Sequence, residues 1–124
     1  MMFLLDTQIM LWWLQDDARL SAETRELIAS TPCLLSVASL LEVAIKHRQG
    51  KLAVDPVSYR DASLAAGATH LDIKQAHAIE TGRLPAIHED PFDRLIIAQA
   101  RIENVVAVSS DARWDQYEVA LRRP

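Results

Sequence analysis

The chain has 124 residues, 50% hydrophobic and 24% charged, with a net charge of −4. That length and balance give one folded domain over residues 1–124 and exclude a disordered chain. The acidic net charge argues against holding nucleic acid by surface charge alone, no apolar run reaches the roughly 20 residues of a membrane span, and the opening Met1-Met2-Phe3-Leu4-Leu5-Asp6 lacks the basic start of a secretory signal.

Met2-Phe3-Leu4-Leu5 reads as a short apolar strand ending at Asp6. Residues 7–15 follow as a helix with Ile9, Trp12 and Trp13 on its apolar side. The two tryptophans stand about 100° apart, so burying both takes two covered surfaces. Ser21 is an N-cap for a helix over 22–29, with Glu23 in its first turn. Pro32 interrupts, and Cys33-Leu34-Leu35-Ser36 is a second strand. Cys33, the only cysteine, is expected to be a reduced core thiol in a cytoplasmic protein. Residues 38–48 form a third helix closed near Gly50. Asp55-Pro56 joins an N-cap to a proline at the first helical position and opens a helix ending near Gly67. His70-Leu71-Asp72-Ile73 is a strand, and residues 74–81 are helical, stopped by Gly82 and Pro85. Asp90-Pro91 repeats the cap signal and opens a long helix to about residue 102, ended by Asn104. Val105-Val106-Ala107-Val108 is a buried strand. A helical turn after Asp111 and a last strand at residues 117–120 complete the chain. This alternation predicts an α/β sandwich on a mainly parallel, roughly five-stranded sheet.

Ligands of such sheets gather at the carboxyl ends of the strands. Asp6 follows the first strand there, and Asp111 follows the Val-rich strand and Ser109-Ser110. Each has an equal reading as a helix N-cap. Glu42 lies in the apolar run Val37-Ala38-Ser39-Leu40-Leu41-Glu42-Val43-Ala44-Ile45. An exposed pair with Lys46, four residues on, accounts for it at a few tenths of a kcal/mol. A partly buried carboxylate there needs a cation or several donors. Asp93 falls at the third position of the helix opened by Asp90, where an acid suits the helix dipole and can complete a capping box. Its structural and functional readings are equally good when it is taken alone. Together the four acids are the ligand type that Mg²⁺ and Mn²⁺ prefer, and an ion held by them suits phosphodiester hydrolysis. The four histidines, His47, His70, His77 and His88, show no zinc spacing. No Walker A loop or GxGxxG motif supports a nucleotide cofactor. The run Lys46-His47-Arg48-Gln49-Gly50-Lys51 is the one local basic stretch.

Leu4-Leu5-Asp6-Thr7, the run from Ser39 to Lys46, Asp90-Pro91-Phe92-Asp93-Arg94-Leu95-Ile96-Ile97-Ala98-Gln99-Ala100 and Val108-Ser109-Ser110-Asp111 resemble the PIN-domain family. They resemble more closely its VapC-type toxins of bacterial toxin–antitoxin systems. Gly50-Lys51-Leu52 and Tyr117-Glu118-Val119 extend the likeness over nearly the whole chain. The resemblance implies a PIN-like three-layer sandwich in which Asp6, Glu42 and Asp93 are the principal metal-binding and catalytic acids and Asp111 the fourth, more variable one. Thr7 matches a hydroxyl residue beside the first acid, and Ser109 or Ser110 one near the fourth. Asp90 is a further acid, helix cap first and outer shell of the metal second. The resemblance also implies a Mg²⁺-dependent endoribonuclease, with Mn²⁺ as substitute, that hydrolyses RNA by metal-activated water. Such a toxin forms a homodimer and is silenced by a cognate antitoxin.

The chain departs from the family pattern at Leu41, where Trp is frequent, and at Trp114, where Phe is common. Pro85-Ala86-Ile87-His88-Glu89 is more acidic than usual, which bears on RNA contacts beside the site. None of these changes removes a ligand. Lys46, Arg48, Lys51 and Arg94 are candidate contacts to the RNA backbone, each equally readable as a surface charge or ion-pair partner. Two rival readings stand beside the nuclease. One is an antitoxin-binding module with weak or lost catalysis, motivated by the two tryptophans of the first helix. The other is a phosphorylatable receiver-like domain, which fits poorly because Ser109-Ser110-Asp111 stands where that class needs a lysine.

Overall fold

Five short strands, β1 (Phe3–Leu5), β2 (Cys33–Ser36), β3 (Thr69–Leu71), β4 (Val106–Val108) and β5 (Leu121–Arg122), form one sheet in the computed structural model, which describes residues 1–124. Their order is β3-β2-β1-β4-β5, and every neighbouring pair is parallel. The connections carry α1 (Thr7–Leu14), α2 (Ala22–Ser30), α3 (Val37–Arg48), α4 (Pro56–Ala65), α5 (Gln75–Thr81), α6 (Pro91–Glu103) and a 3₁₀ turn over Ala112–Gln116.

The central strand explains the layers. Side chains alternate across a strand, and β1 is apolar at every position because both its faces are covered. Phe3 and Leu5 pack with Ile9, Met10, Val43 and Tyr59 on one face. Leu4 packs with Leu34, Ile96, Ile97, Ala107 and Trp114 on the other. The expected α/β sandwich is therefore present, and its sheet is wholly parallel.

The helix starts follow from capping chemistry. Asp6, Ser21, Ser36, Asp55 and Asp90 each accept a hydrogen bond from a main-chain N–H of the following helix. Pro56 and Pro91 occupy first-turn positions where no N–H is needed. Asn104 closes α6 in the left-handed region, with φ 55°. Trp12 is buried, whereas Trp13 is half-buried at the edge of the same core. One covered surface therefore serves the pair.

The last strand corrects the sequence expectation. It lies at Leu121–Arg122, paired to Ala107 and Val108, and not at residues 117–120. Trp114 and Tyr117 are both buried. The 3₁₀ turn puts residues three apart on one side, which turns both rings inward and delays sheet pairing until the turn has closed.

The strand order places the site. From β1 the chain steps to β2 and β3 on one side, then returns to β4 on the other. The carboxyl ends of β1 and β4 are thus neighbours at a topological switch point, where α/β sheets open a crevice. The Asp6 N–H donates to the carbonyl of Val108 at 3.1 Å, closing this end of the pair.

Candidate active site

Asp6 leaves β1 and caps α1. Its Oδ1 accepts from the Ile9 N–H at 2.8 Å and its Oδ2 from the Ser109 hydroxyl at 2.6 Å. Burial pushes its pKa up to about 7, and the nearby charges of Asp93 and Glu42 push the same way against those two bonds. Ser109 also accepts the Asp111 N–H, so one hydroxyl joins both strand ends.

Glu42 projects from α3 into the same crevice and is only 6% exposed. Its Oε1 accepts from the Thr7 hydroxyl at 2.6 Å, and its Oε2 from Lys46 Nζ at 2.7 Å. Behind it, Thr7 Oγ1 is 2.8 Å from Ser39 Oγ, which is 2.7 Å from the Tyr59 hydroxyl. Because Thr7 gives its one proton to Glu42, Ser39 donates to Thr7 and Tyr59 to Ser39. Burial keeps the Tyr59 phenol protonated far above its usual range, so this chain of donors persists. Lys46 is held charged by its bond to Glu42, with Asp90 and Asp93 adding to the effect.

Asp93 stands in the first turn of α6. Asp90 Oδ1 accepts the Phe92 and Asp93 N–H groups at 2.9 and 3.1 Å, which fixes where the helix begins. Burial raises the pKa of Asp93, and the charge of Asp90 raises it further. The His88 ring opposes that shift from 3.2 Å. The buried indole N–H of Trp114 also favours the ionised form, although it completes no hydrogen bond.

Asp6, Glu42 and Asp93 share one cleft of about 300 Å³ with Thr7, Gln8, Asp90, Lys46 and Lys51. Four carboxylates therefore face two ammonium groups. All the anionic donors are oxygens, which suits a hard divalent cation.

Asp111 does not line that cleft. It caps the 3₁₀ turn through the Arg113 N–H and is gripped by the Arg113 guanidinium at 2.6 and 3.0 Å, which lowers its pKa. Arg113 Nη2 lies 3.9 Å from Asp93 Oδ2 as well. Ligand atoms of His88, Asp93 and Asp111 lie within 4.8 Å of one another, so Asp111 borders the cleft across Asp93.

Among the candidate RNA contacts, Lys46 and Lys51 line the cleft. Arg48 is exposed at the end of α3. Arg94 points away and spends its N–H groups on the carbonyls of Thr81, Leu84, Pro85 and His88. Cys33 is buried, and burial pushes its thiol up to about 11, which leaves it unreactive. The residue the sequence reading missed is His88. Histidine spacing carries no hint of it, because its partners are Asp93 and the distant Tyr117.

A family model described as the PIN domain matches residues 3–120. No curated protein matches the sequence. Among solved structures, the chain resembles VapBC2 from Rickettsia felis bound to a promoter DNA fragment, with TM-score 0.77 and 19% identity over 99% of this chain and 98% of that one. DNA-bound VapBC from Salmonella typhimurium gives TM-score 0.68 and 18% identity over 99% and 98%. Mycobacterium tuberculosis VapC20, described as a toxin that cleaves the sarcin–ricin loop, gives 0.66 and 18% over 98% and 99%. At such identities these are likenesses of fold, and the match over residues 3–120 carries the family assignment: the chain belongs to the PIN domain family.

Proposed function

We propose that the chain is a metal-dependent endoribonuclease, the toxin of a type II toxin–antitoxin pair. The observation that carries this reading is the meeting of Asp6, Glu42 and Asp93, from three separate elements, in one cleft at the switch point of the sheet. Membership of a nuclease family supports it, as do fold neighbours described as VapBC complexes and as an RNA-cleaving toxin.

In this proposal Asp6, Glu42 and Asp93 hold Mg²⁺ or Mn²⁺, and Asp111 assists from beyond Asp93. When bound, the ion activates water and stabilises charge on the phosphoryl oxygens. The protein's own part is positioning. Ser109 and the Ile9 N–H fix Asp6, Thr7 fixes Glu42, and Asp90 fixes the turn that carries Asp93. Lys46 and Lys51 line the cleft, and in this proposal their charges draw the RNA backbone to it. The proposal includes a single PIN domain over residues 1–124, a homodimer, a cytoplasmic location and a cognate antitoxin partner. No helix is long and apolar enough to cross a membrane.

The test is cleavage of RNA by the purified chain with Mg²⁺ or Mn²⁺, with the ends mapped, beside Asp6→Asn and Asp93→Asn. Loss of cleavage in both folded variants is expected, and full activity in both rejects the proposal. Lys46 on Glu42 and Arg113 on Asp111 give a second reading some footing, since internal cations already balance those two acids. In that reading the chain is an antitoxin-binding module with weak or lost catalysis. Calorimetric titration with Mn²⁺ separates the two, because the module shows no carboxylate-dependent binding.

A further inference from the structure

The three acids proposed as metal ligands are held differently. Both oxygens of Asp6 and both of Glu42 have a near neighbour in sequence or an adjacent element end as donor. Asp93 relies on an imidazole. His88, buried in the loop before α6, places Nε2 at 3.2 Å from Asp93 Oδ2 and Nδ1 at 2.5 Å from the Tyr117 hydroxyl. The His88 and Tyr117 rings meet edge to face, 5.5 Å apart at 72°. On the far side, Arg94 Nη1 lies 3.4 Å from the same hydroxyl.

The proton placement follows from Asp93. An ionised carboxylate can only accept, so the His88 Nε2 that faces it carries the ring proton. In the neutral imidazole Nδ1 is then the bare acceptor, and the Tyr117 hydroxyl donates to it. The opposite tautomer leaves two lone pairs facing each other at Asp93 and wastes the phenolic proton in a buried place, which is costly.

We infer that Tyr117 and His88 are positioning residues of the proposed metal site, Tyr117 setting the tautomer of His88 and His88 fixing the carboxylate of Asp93 for the cation. The inference rests on the reading of Asp93 as a metal ligand. A purely structural role, tethering the loop before α6, is already filled by other bonds. Arg94 fastens that loop through the carbonyls of Leu84, Pro85 and His88. Partners that orient a metal-binding side chain typically change metal affinity about 10- to 100-fold when removed.

The test uses the whole chain and two readouts other than catalysis. Nitrogen-15 NMR of the imidazoles in the metal-free protein, at mildly alkaline pH, should show His88 protonated at Nε2, with that preference lost in Tyr117→Phe. Calorimetric Mn²⁺ affinity should fall about 10-fold in Tyr117→Phe and up to about 100-fold in His88→Ala. His88→Gln, whose amide N–H keeps a donor near Asp93, should recover part of the loss. Tyr117→Phe keeps the buried ring, so its melting temperature checks that the fold is intact. An Nδ1-protonated His88 overturns the inference. So does unchanged Mn²⁺ affinity in Tyr117→Phe and His88→Ala when Asp93→Asn abolishes binding. If Asp93→Asn itself binds Mn²⁺ normally, the metal-site reading has failed, and this inference falls with it.

Discussion

At Asp6 two hydrogen bonds favour the carboxylate, yet burial and the neighbouring acids outweigh them and leave its pKa near 7. An unfolded aspartate ionises near 3.9. Between those values the metal-free folded chain binds more protons than the unfolded one, so its stability falls as pH rises from about 4 to about 7. Thermal melts in chelator should show that decline, levelling above pH 7. With Mn²⁺ the decline should flatten, because the cation competes with the proton at the same oxygens. Asp6→Asn should remove this component of the slope and lower RNA cleavage by about 100-fold or more, since an ion supplies several kcal/mol of transition-state stabilisation. That Asp6, Glu42 and Asp93 share one cleft was foreshadowed in the sequence only by their company and by the family resemblance, because each taken alone has a local partner: a helix start for Asp6, Lys46 for Glu42 and a first helical turn for Asp93. His88 was not legible, because Tyr117 reaches it across 29 residues and no spacing rule spans that distance. The rank of Asp111 below the other acids came from its capping ambiguity together with its match to the more variable acid of the family. Its grip by Arg113, two residues on, depends on a side-chain conformation that the sequence leaves free.

The elements around the site stand on caps and turns that make separate demands on stability. Asp90 serves two N–H groups of α6, one of them Asp93's own. Asp90→Ala should cost about 1–2 kcal/mol in denaturant unfolding. It should also weaken Mn²⁺ binding, because the turn that carries Asp93 loosens. The glycines make the opposite kind of test. Gly67 has φ +96° with open space around it, so Gly67→Ala meets backbone strain alone and should cost about 1–2 kcal/mol. Gly82, read from the sequence as a helix stop, sits in the right-handed helical region at φ −72°. An added methyl there meets only the Ile79 carbonyl at 3.5 Å, so Gly82→Ala should be neutral or stabilise by up to about 1 kcal/mol. Helix starts were legible because a cap and its proline are adjacent in sequence. The last strand was misplaced because Tyr117 has a high β-propensity and its true preference is set by burial beside Trp114, a tertiary effect.

At the scale of the whole molecule, the parallel sheet was legible from alternating apolar runs and helices, whereas the strand order depends on which helices cover which face. That order brings β1 and β4 together and so concentrates acids in a chain whose net charge is already −4. Lys46 offsets part of this concentration from within. Its ammonium is half-exposed and bonded to a buried Glu42, so it acts as a resident counter-ion rather than as a surface ornament of α3. A bound divalent cation should stabilise the fold by about 2.7 kcal/mol at a concentration 100 times its Kd. For a chain of this length that is a rise in Tm of roughly 10 °C. Removing the resident charge while keeping the aliphatic stem tests how the two cations share the work. Lys46→Met should lower the melting temperature in chelator, because a buried carboxylate loses its partner. It should also enlarge the rise produced by Mn²⁺, because the metal then supplies charge that Lys46 no longer does. An equal rise in wild type and Lys46→Met would mean that Glu42 keeps its bond to Lys46 when the cleft is filled, and Asp6 and Asp93 alone would then be left to hold the ion.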